Sequence, residues 1–512
     1  MKILFIYPNL YAQIGFNYGI AFLSAMLKQR GHETRLINVN DQLNGPLDLE
    51  AIRREVLTFR PEAICFSITT NQHQYARLIA RSIRSYWDAP LVAGGIHITM
   101  TPEEVFKEGE FDYLCVGEGE EALVELVDEL EKGGAGGEIA NIWSRHEDEM
   151  VANPVRPFVR LENLPRKDYE IFDFQRLVDA KDGWVGVMTS RGCPFHCSYC
   201  FNHRIMDRYR QELNLSAGRI GYIRRHPIPA AIEELEYLLS HYRGIDTFIF
   251  DDDLFTHDKE YLSEFCREYR QTIRLPFVVN AHVRKFDREA AVCLKEAGCK
   301  LVKFGLESGS PRIRTQVLRR PMKDEEIARA FDVASRAGLS TSAFVMIGLP
   351  QEGSEDIEMT LELLARVRPN RFRWALFFPY VGTEAYELSR REGLIDEEKL
   401  RSLPSFTEES CLDFGREHNL FLKRLKRAFP WYVNACSPDP LISNLYRQLI
   451  RLLEDLGEKE PDQWKKEVLS LDSELSHFLS LTGREHYVVR YNDFMAVKER
   501  TYSVPENAFG VS

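Results

Sequence analysis

Short apolar runs alternate with amphipathic stretches along the first 145 residues. Residues 3–7, 34–39, 63–67, 91–93 and 112–116 are brief, mostly apolar runs and predict five strands. Residues 18–28, 49–59, 75–86 and 122–130 repeat their apolar positions near 3.6 residues and predict helices, with Gly31 closing the first. Repeated βα units of this kind predict a doubly wound parallel sheet. The rhythm then stops. Pro154, Pro157 and Pro165 interrupt residues 146–180, which read as a linker.

It resumes from Trp184. Apolar runs at 184–189, 247–250, 277–280, 301–306, 342–347 and 371–377 predict six strands. Helical patterns at 230–242, 259–271, 288–297, 324–337 and 357–367 lie between the later ones. Six βα units fit an open, partial (β/α)6 barrel over residues 181–395. Beyond it, 420–429, 441–456 and 465–481 predict helices, and the chain ends in an aromatic and polar segment with Tyr487, Tyr491, Phe494, Tyr502 and Phe509. The expected organisation is an α/β chain of four parts: a doubly wound sheet over 1–145, a linker over 146–180, a partial barrel over 181–395, and a mainly helical cap domain over 396–512.

Composition narrows the chemistry. The chain of 512 residues is 44% hydrophobic and 28% charged, ordinary values for a globular protein of several domains. A net charge of -12 offers no electrostatic attraction for nucleic acid or an anionic membrane face. Ten cysteines without a pairing framework fit a reducing compartment, so a cytoplasmic location is expected. The apolar run at the N-terminus is too short for a secretory signal, and no run reaches the ~18 residues of a membrane span.

Three of those cysteines, Cys193, Cys197 and Cys200, sit at C-x3-C-x2-C spacing in a loop after a predicted strand. Three thiolates within eight residues can wrap one face of a [4Fe-4S] cluster and leave the fourth iron open. A zinc knot would want paired C-x2-C units with a second pair further on, and none follows. Cys411 and Cys436 read as ordinary buried thiols, with a catalytic or cluster-ligating role as the alternative. Polar residues gather at the predicted strand ends: Thr69 and Thr70, Gly94-Gly95-Ile96-His97, Gly117-Glu118-Gly119-Glu120, Asp251-Asp252-Asp253, Glu307-Ser308, and Gly348-Leu349-Pro350. In open α/β sheets and βα-barrels these ends carry ligands.

The cysteine loop, with Arg191-Gly192 leading in and Tyr199 before the last cysteine, resembles the radical S-adenosylmethionine enzymes. The N-terminal third, with G-G-x-H and then G-E-G-E before a helix, resembles the cobalamin-binding domain that precedes the radical module in one large class of them, the class B methyltransferase and cyclase type. The D-x-H-x-x-G motif that supplies a lower axial histidine in other cobalamin proteins is absent. The resemblance implies a [4Fe-4S] cluster on Cys193, Cys197 and Cys200. It implies S-adenosylmethionine contacts from Tyr199, Asp251, Glu307, Ser308 and Gly348. It implies cobalamin contacts from Thr69, Thr70, Gly94, Gly95, His97, Gly117, Glu118 and Gly119. Relatives commonly place G-G-E where this chain has its three aspartates, so Asp251 is a departure.

The activity so implied is methylation of an unactivated carbon of a small molecule. A flavodoxin- or ferredoxin-type donor reduces the cluster, S-adenosylmethionine yields a 5′-deoxyadenosyl radical, and methylcobalamin supplies the methyl group. Oxidative cyclisation or rearrangement with the same cofactors is the alternative. A methylthiotransferase-like RNA-modifying enzyme is disfavoured, because only Cys65 and Cys115 lie in the N-terminal domain. A cofactor sensor without catalysis would bind the same groups and cleave nothing.

Overall fold

The computed structural model describes residues 1–146, 149–216, 218–403, 409–455 and 461–500. The chain divides into two compact units. The first holds Met1–Asp253 with Gln271–Leu275 and Tyr380–Tyr386; the second holds Leu254–Arg270, Pro276–Pro379 and Glu387–Ser512. No division falls near residue 181, where the sequence suggested a domain start.

In the first unit, β1 (Lys2–Pro8), β2 (Glu33–Val39), β3 (Ala63–Ser67), β4 (Leu91–Gly94) and β5 (Tyr113–Cys115) form a parallel sheet in the order β2-β1-β3-β4-β5. Ile3, Leu4, Phe5 and Ile6 are all buried, as expected of a strand covered on both faces. The strand order reverses between β1 and β3, and the crevice at such a reversal opens at the carboxyl ends. The helices Tyr18–Gln29, Leu49–Phe59, His73–Arg84 and Glu120–Glu131 match the expected ones to within two residues at each end.

The stretch read as a linker is structured. β6 (Ile142–His146) pairs antiparallel with β5, and β7 (Glu149–Ala152) with β6, so the sheet runs past residue 145. Further on, Phe16 stacks on Tyr169 at 4.8 Å and 10° and packs against Phe172 and Phe174, the last on a helix Phe174–Ala180. The prolines stop regular repeats; the aromatic side chains between them fasten the segment down.

The first unit also contains β8 (Trp184–Val187), the short ribbon of β9 (Ser190–Arg191) and β10 (Arg224–Arg225), and β11 (Thr247–Phe250), which pairs in parallel with β8. The second unit holds β12 (Phe277–Ala281), β13 (Cys299–Glu307), β14 (Ser340–Ile347) and β15 (Arg371–Leu376), paired in parallel in that order. The helices between them cover one face with residues such as Leu294, Ile327 and Phe331. β16 (His486–Val489) and β17 (Met495–Glu499) add antiparallel strands beside β15, where only an irregular aromatic segment was expected. Tyr502 and Phe509 lie outside the described residues.

The C-terminal helix Arg416–Ala435 contains Pro430 and kinks at Ala428, because proline removes a donor and clashes with the preceding turn. It continues beyond the expected stop at residue 429 because the kinked helix is packed. Trp374 of β15 donates its indole N–H to the Lys426 carbonyl at 2.8 Å and stacks on Phe429. Among the described residues no helix is long and apolar enough to cross a membrane.

Candidate functional site

The cysteine loop leaves β8 and β9 and ends at Cys200, the N-cap of the helix Phe201–Glu212. Gly192 has φ +92, and a Cβ there would strike the Tyr222 carbonyl, so glycine is required for the sharp entry. The Cys200 N–H donates to the Cys197 carbonyl at 3.1 Å. Cys197 is buried; Cys193 and Cys200 are half-buried. Burial, together with the charges of Cys197, Asp253 and Cys193, pushes the Cys200 thiol up to about 12. Thiolates gathered in one loop repel one another, and a set of cations such as an iron cluster neutralises them. The donor set fits a cluster with each thiolate on a separate iron.

The three aspartates after β11 have three different roles. Asp251 Oδ2 accepts the Tyr18 hydroxyl at 2.8 Å. Asp252, fully buried, accepts the Thr189 hydroxyl at 2.9 Å, the Thr189 N–H at 3.2 Å and the Ser190 hydroxyl, so it fixes the strand leading into the cysteine loop. Burial pushes Asp252 up to about 6 in spite of those donors. Asp253 hydrogen-bonds the Asn202 side chain and the Gly192 backbone, on either side of the cysteines, and burial raises it too. Asp253, rather than Asp251, therefore faces the loop. The run of like residues hid this, because all three lie past the end of β11, where no strand alternation fixes which side chain faces the loop.

A cavity of about 610 Å³ opens at the carboxyl ends of β1, β3, β4 and β5. Its walls are largely apolar, with Phe5, Phe66, Val92 and Leu123, and its rim carries Thr69, Gly94, Gly95, Gly117, Glu118, Gly119 and Arg191. Gly95 has φ +101, and a Cβ there would lie 2.6 Å from the Ile68 N and O atoms. A Cβ on Gly119 would lie 3.0 Å from Cys115 Sγ. A roomy apolar slot with backbone-lined edges fits part of a large planar ligand such as a corrinoid. Of the residues expected to touch cobalamin, Thr70 and His97 do not line it. His97 is buried beside His73 with ring centroids 4.2 Å apart, and burial and His73 hold its imidazole down at about 3. Glu118 lines the cavity, but its carboxylate is gripped by Arg191 and Arg224.

Three expected residues lie in the second unit. Glu307 ends β13 with φ +65, a strained value for a non-glycine. Ser308 is fully buried, with its hydroxyl 3.5 Å from that of Thr360. Gly348 has φ +72, and its N–H donates to Glu352 Oε2 at 2.7 Å. Burial pushes Glu352 up to about 8 against the two backbone donors of Gly348 and Leu349. Tyr199 is half-buried beside Cys200. Burial pushes the thiols of Cys411 and Cys436 up to about 12 and about 11, values that fit inert structural cysteines. The residues missed in the sequence are Asp253, Arg191 and Arg224; only the Arg-Gly before Cys193 hinted at one of them.

The family profile of the B12 binding domain matches residues 10–127, and that of the radical SAM superfamily matches 187–364. An uncharacterized methyltransferase of Pyrococcus horikoshii is 28% identical over 406 residues, covering 77% of this chain and 84% of that one. The anaerobic magnesium-protoporphyrin IX monomethyl ester cyclase of Rubrivivax gelatinosus is 25% identical, covering 84% of this chain and 77% of that one. The fold is similar to that of a radical S-adenosylmethionine methyltransferase, TsrM, from Kitasatospora setae, solved with cobalamin and a [4Fe-4S] cluster. That likeness has a TM-score of 0.60 and 19% identity and covers 76% of this chain and 75% of that one. One polypeptide thus carries a B12-binding domain and, after it, a radical SAM domain.

Proposed function

We propose that this chain is a cobalamin-dependent radical S-adenosylmethionine enzyme that methylates an unactivated carbon of a small molecule. One observation carries the reading: within one compact unit, Arg191 both lines the apolar cavity and stands two residues before Cys193. When bound, the cluster with S-adenosylmethionine supplies radical chemistry and the corrinoid supplies the methyl group, as cofactors carry the difficult steps. The protein's part is positioning. Cys193, Cys197 and Cys200 would hold the cluster, Asp252 and Asp253 brace the loop on both sides, and the glycines at 94, 95, 117 and 119 would let backbone approach the corrinoid. Tyr199 and Asp253, beside the cysteine loop, are the proposed contacts for S-adenosylmethionine in the first unit. A flavodoxin- or ferredoxin-type protein is the proposed electron donor.

Anaerobic reconstitution with iron, sulfide and hydroxocobalamin tests this. The expected result is bound iron and corrinoid, with 5′-deoxyadenosine formed from S-adenosylmethionine under dithionite. Cys197→Ala is expected to lose iron and 5′-deoxyadenosine while keeping corrinoid. A Cys197→Ala protein that retains both would refute the reading. Cyclisation is the second reading, favoured by the cyclase relative that covers 84% of this chain. A product heavier by one methyl group separates methylation from it.

A further inference from the structure

Glu118 lies in the glycine-flanked turn after β5, at the rim of the cavity. Arg224 grips its carboxylate with both prongs, Nη1 to Oε2 at 2.8 Å and Nη2 to Oε1 at 2.7 Å. Arg191 Nη1 donates to Oε1 at 2.9 Å, and the Val159 N–H to Oε2 at 2.9 Å. The other prong of Arg191 reaches Glu120 Oε1 at 2.6 Å. Arg191 and Arg224 stand opposite each other across the β9–β10 ribbon, so two guanidinium groups converge on one carboxylate.

The backbone of the same residue makes a second fastening. The Glu118 N–H donates to the Tyr209 hydroxyl at 2.9 Å. Tyr209 is on the helix that begins immediately after Cys200, and is fully buried. Its ring stacks on Phe158 at 3.8 Å and 10°, and the Arg224 guanidinium covers the same Phe158 ring at 4.6 Å. One residue of the cavity rim is therefore tied to the entry of the cysteine loop through Arg191 and to its exit through Tyr209. A side chain with every carboxylate lone pair engaged by protein has little left for a ligand. Although burial opposes ionisation, the Arg224 hydrogen bonds and the charges of Arg191 and Arg224 hold this carboxyl below the usual range.

We propose that Glu118 is a positioning residue, a latch that holds the cavity rim at residues 117–120 and both ends of the cysteine loop at one fixed spacing. The identity of the two ligands so spaced rests on the proposed function; the latch itself does not. Spacing matters because a reacting group displaced by about 1 Å loses on the order of 100-fold in rate. A forked guanidinium pair defines distance and angle together, which one point charge cannot do.

Glu118→Gln keeps the shape and removes the charge. Hydrogen exchange on the full chain as purified is the first measurement. Faster exchange at residues 117–120 and at 191–200 together supports the latch; faster exchange confined to 117–120, or none, overturns it. The second measurement uses chain loaded with a reduced cluster and cob(II)alamin, read by electron paramagnetic resonance. Loss of the cobalt–cluster magnetic coupling in Glu118→Gln, at unchanged iron and corrinoid content, supports the latch, and coupling equal to the parent's overturns it. Should Glu118→Gln fail to fold, Arg224→Lys keeps the charge but not the fork; the same two measurements apply to it, and the same results support or overturn the latch. A parent chain that takes up neither cofactor refutes the proposed function and leaves the exchange measurement to decide the latch.

Discussion

Two glutamates follow strands of parallel sheets, half-buried Glu118 after β5 in the first unit and buried Glu352 after β14 in the second, and their environments push them in opposite directions. Both lose hydration. Glu118 is compensated by two guanidinium groups and falls below its ordinary range. Glu352 receives the backbone N–H groups of Gly348 and Leu349, with Asp356 as an unfavourable neighbour and Arg312 as a weaker favourable one, and burial still lifts it to about 8. Burial alone does not decide the charge of a carboxylate at a strand end; the charge of what replaces water does. The first turn is an ionic joint, and the second is a neutral bend held by hydrogen bonds.

The largest expected effect breaks the ionic joint outright. Glu118→Ala leaves Arg191 and Arg224 facing each other without their shared carboxylate, and denaturant unfolding is expected to show a loss of about 3 kcal/mol, as when one partner of a buried pair is removed. A loss under ~0.5 kcal/mol would mean that solvent already screens the group.

The next effect is in pH. Folding binds a proton at Glu352 between its ordinary value near 4.5 and its folded value of about 8. Stability contributed by the protonated acid is thus complete in acid and lost as pH rises through that window. Glu352→Gln is expected to flatten that decline in thermal melts taken from pH 5 to 8. Glu118 has the opposite sign. Its folded value lies below the ordinary one, so its contribution is present above about pH 4.5 and disappears as acid titrates it. Glu118→Gln is expected to blunt only the acid limb of the profile. A variant of either glutamate that changes the other limb would erase the contrast.

Glycines in the two regions sharpen it on a smaller scale. Gly95 and Gly348 both have positive φ, but a Cβ on Gly95 meets Ile68 backbone at 2.6 Å, whereas on Gly348 it meets the Leu422 side chain at 3.2 Å. Gly95→Ala is expected to lower stability by about 2 kcal/mol and to weaken corrinoid retention, and Gly348→Ala to lower it by about 1 kcal/mol. Melting temperatures and bound corrinoid after gel filtration measure both. The smallest effect is Tyr18→Phe, which removes the hydroxyl donated to Asp251 and is expected to reduce stability by about 1 kcal/mol in the same melts.

Much of this architecture was legible in the sequence. Strands 63–67 and 247–250 and helix 49–59 have the expected bounds because each is a compact apolar pattern ended by a turn or cap of its own. β6, β7, β16 and β17 were not legible. They are four- and five-residue antiparallel strands, two short hairpins that are held in place where β6 joins β5 and β17 joins β15. Pairing of β17 with β15 joins residues more than 120 positions apart, and no local propensity encodes that.

The site divides in the same way. Local spacing displayed the cysteine trio, three thiols within eight residues, and the glycine turns after β4 and β5, while the two-module order came from the resemblance to a known enzyme class. Which aspartate of residues 251–253 faces the cysteine loop, and whether Glu118 serves a ligand or two arginines, was decided only in three dimensions. A side chain's role follows from the charges that surround it once water is excluded, and those charges come from segments such as Arg191 and Arg224, whose distance from Glu118 in the chain, 73 and 106 residues, gives no sign of their meeting.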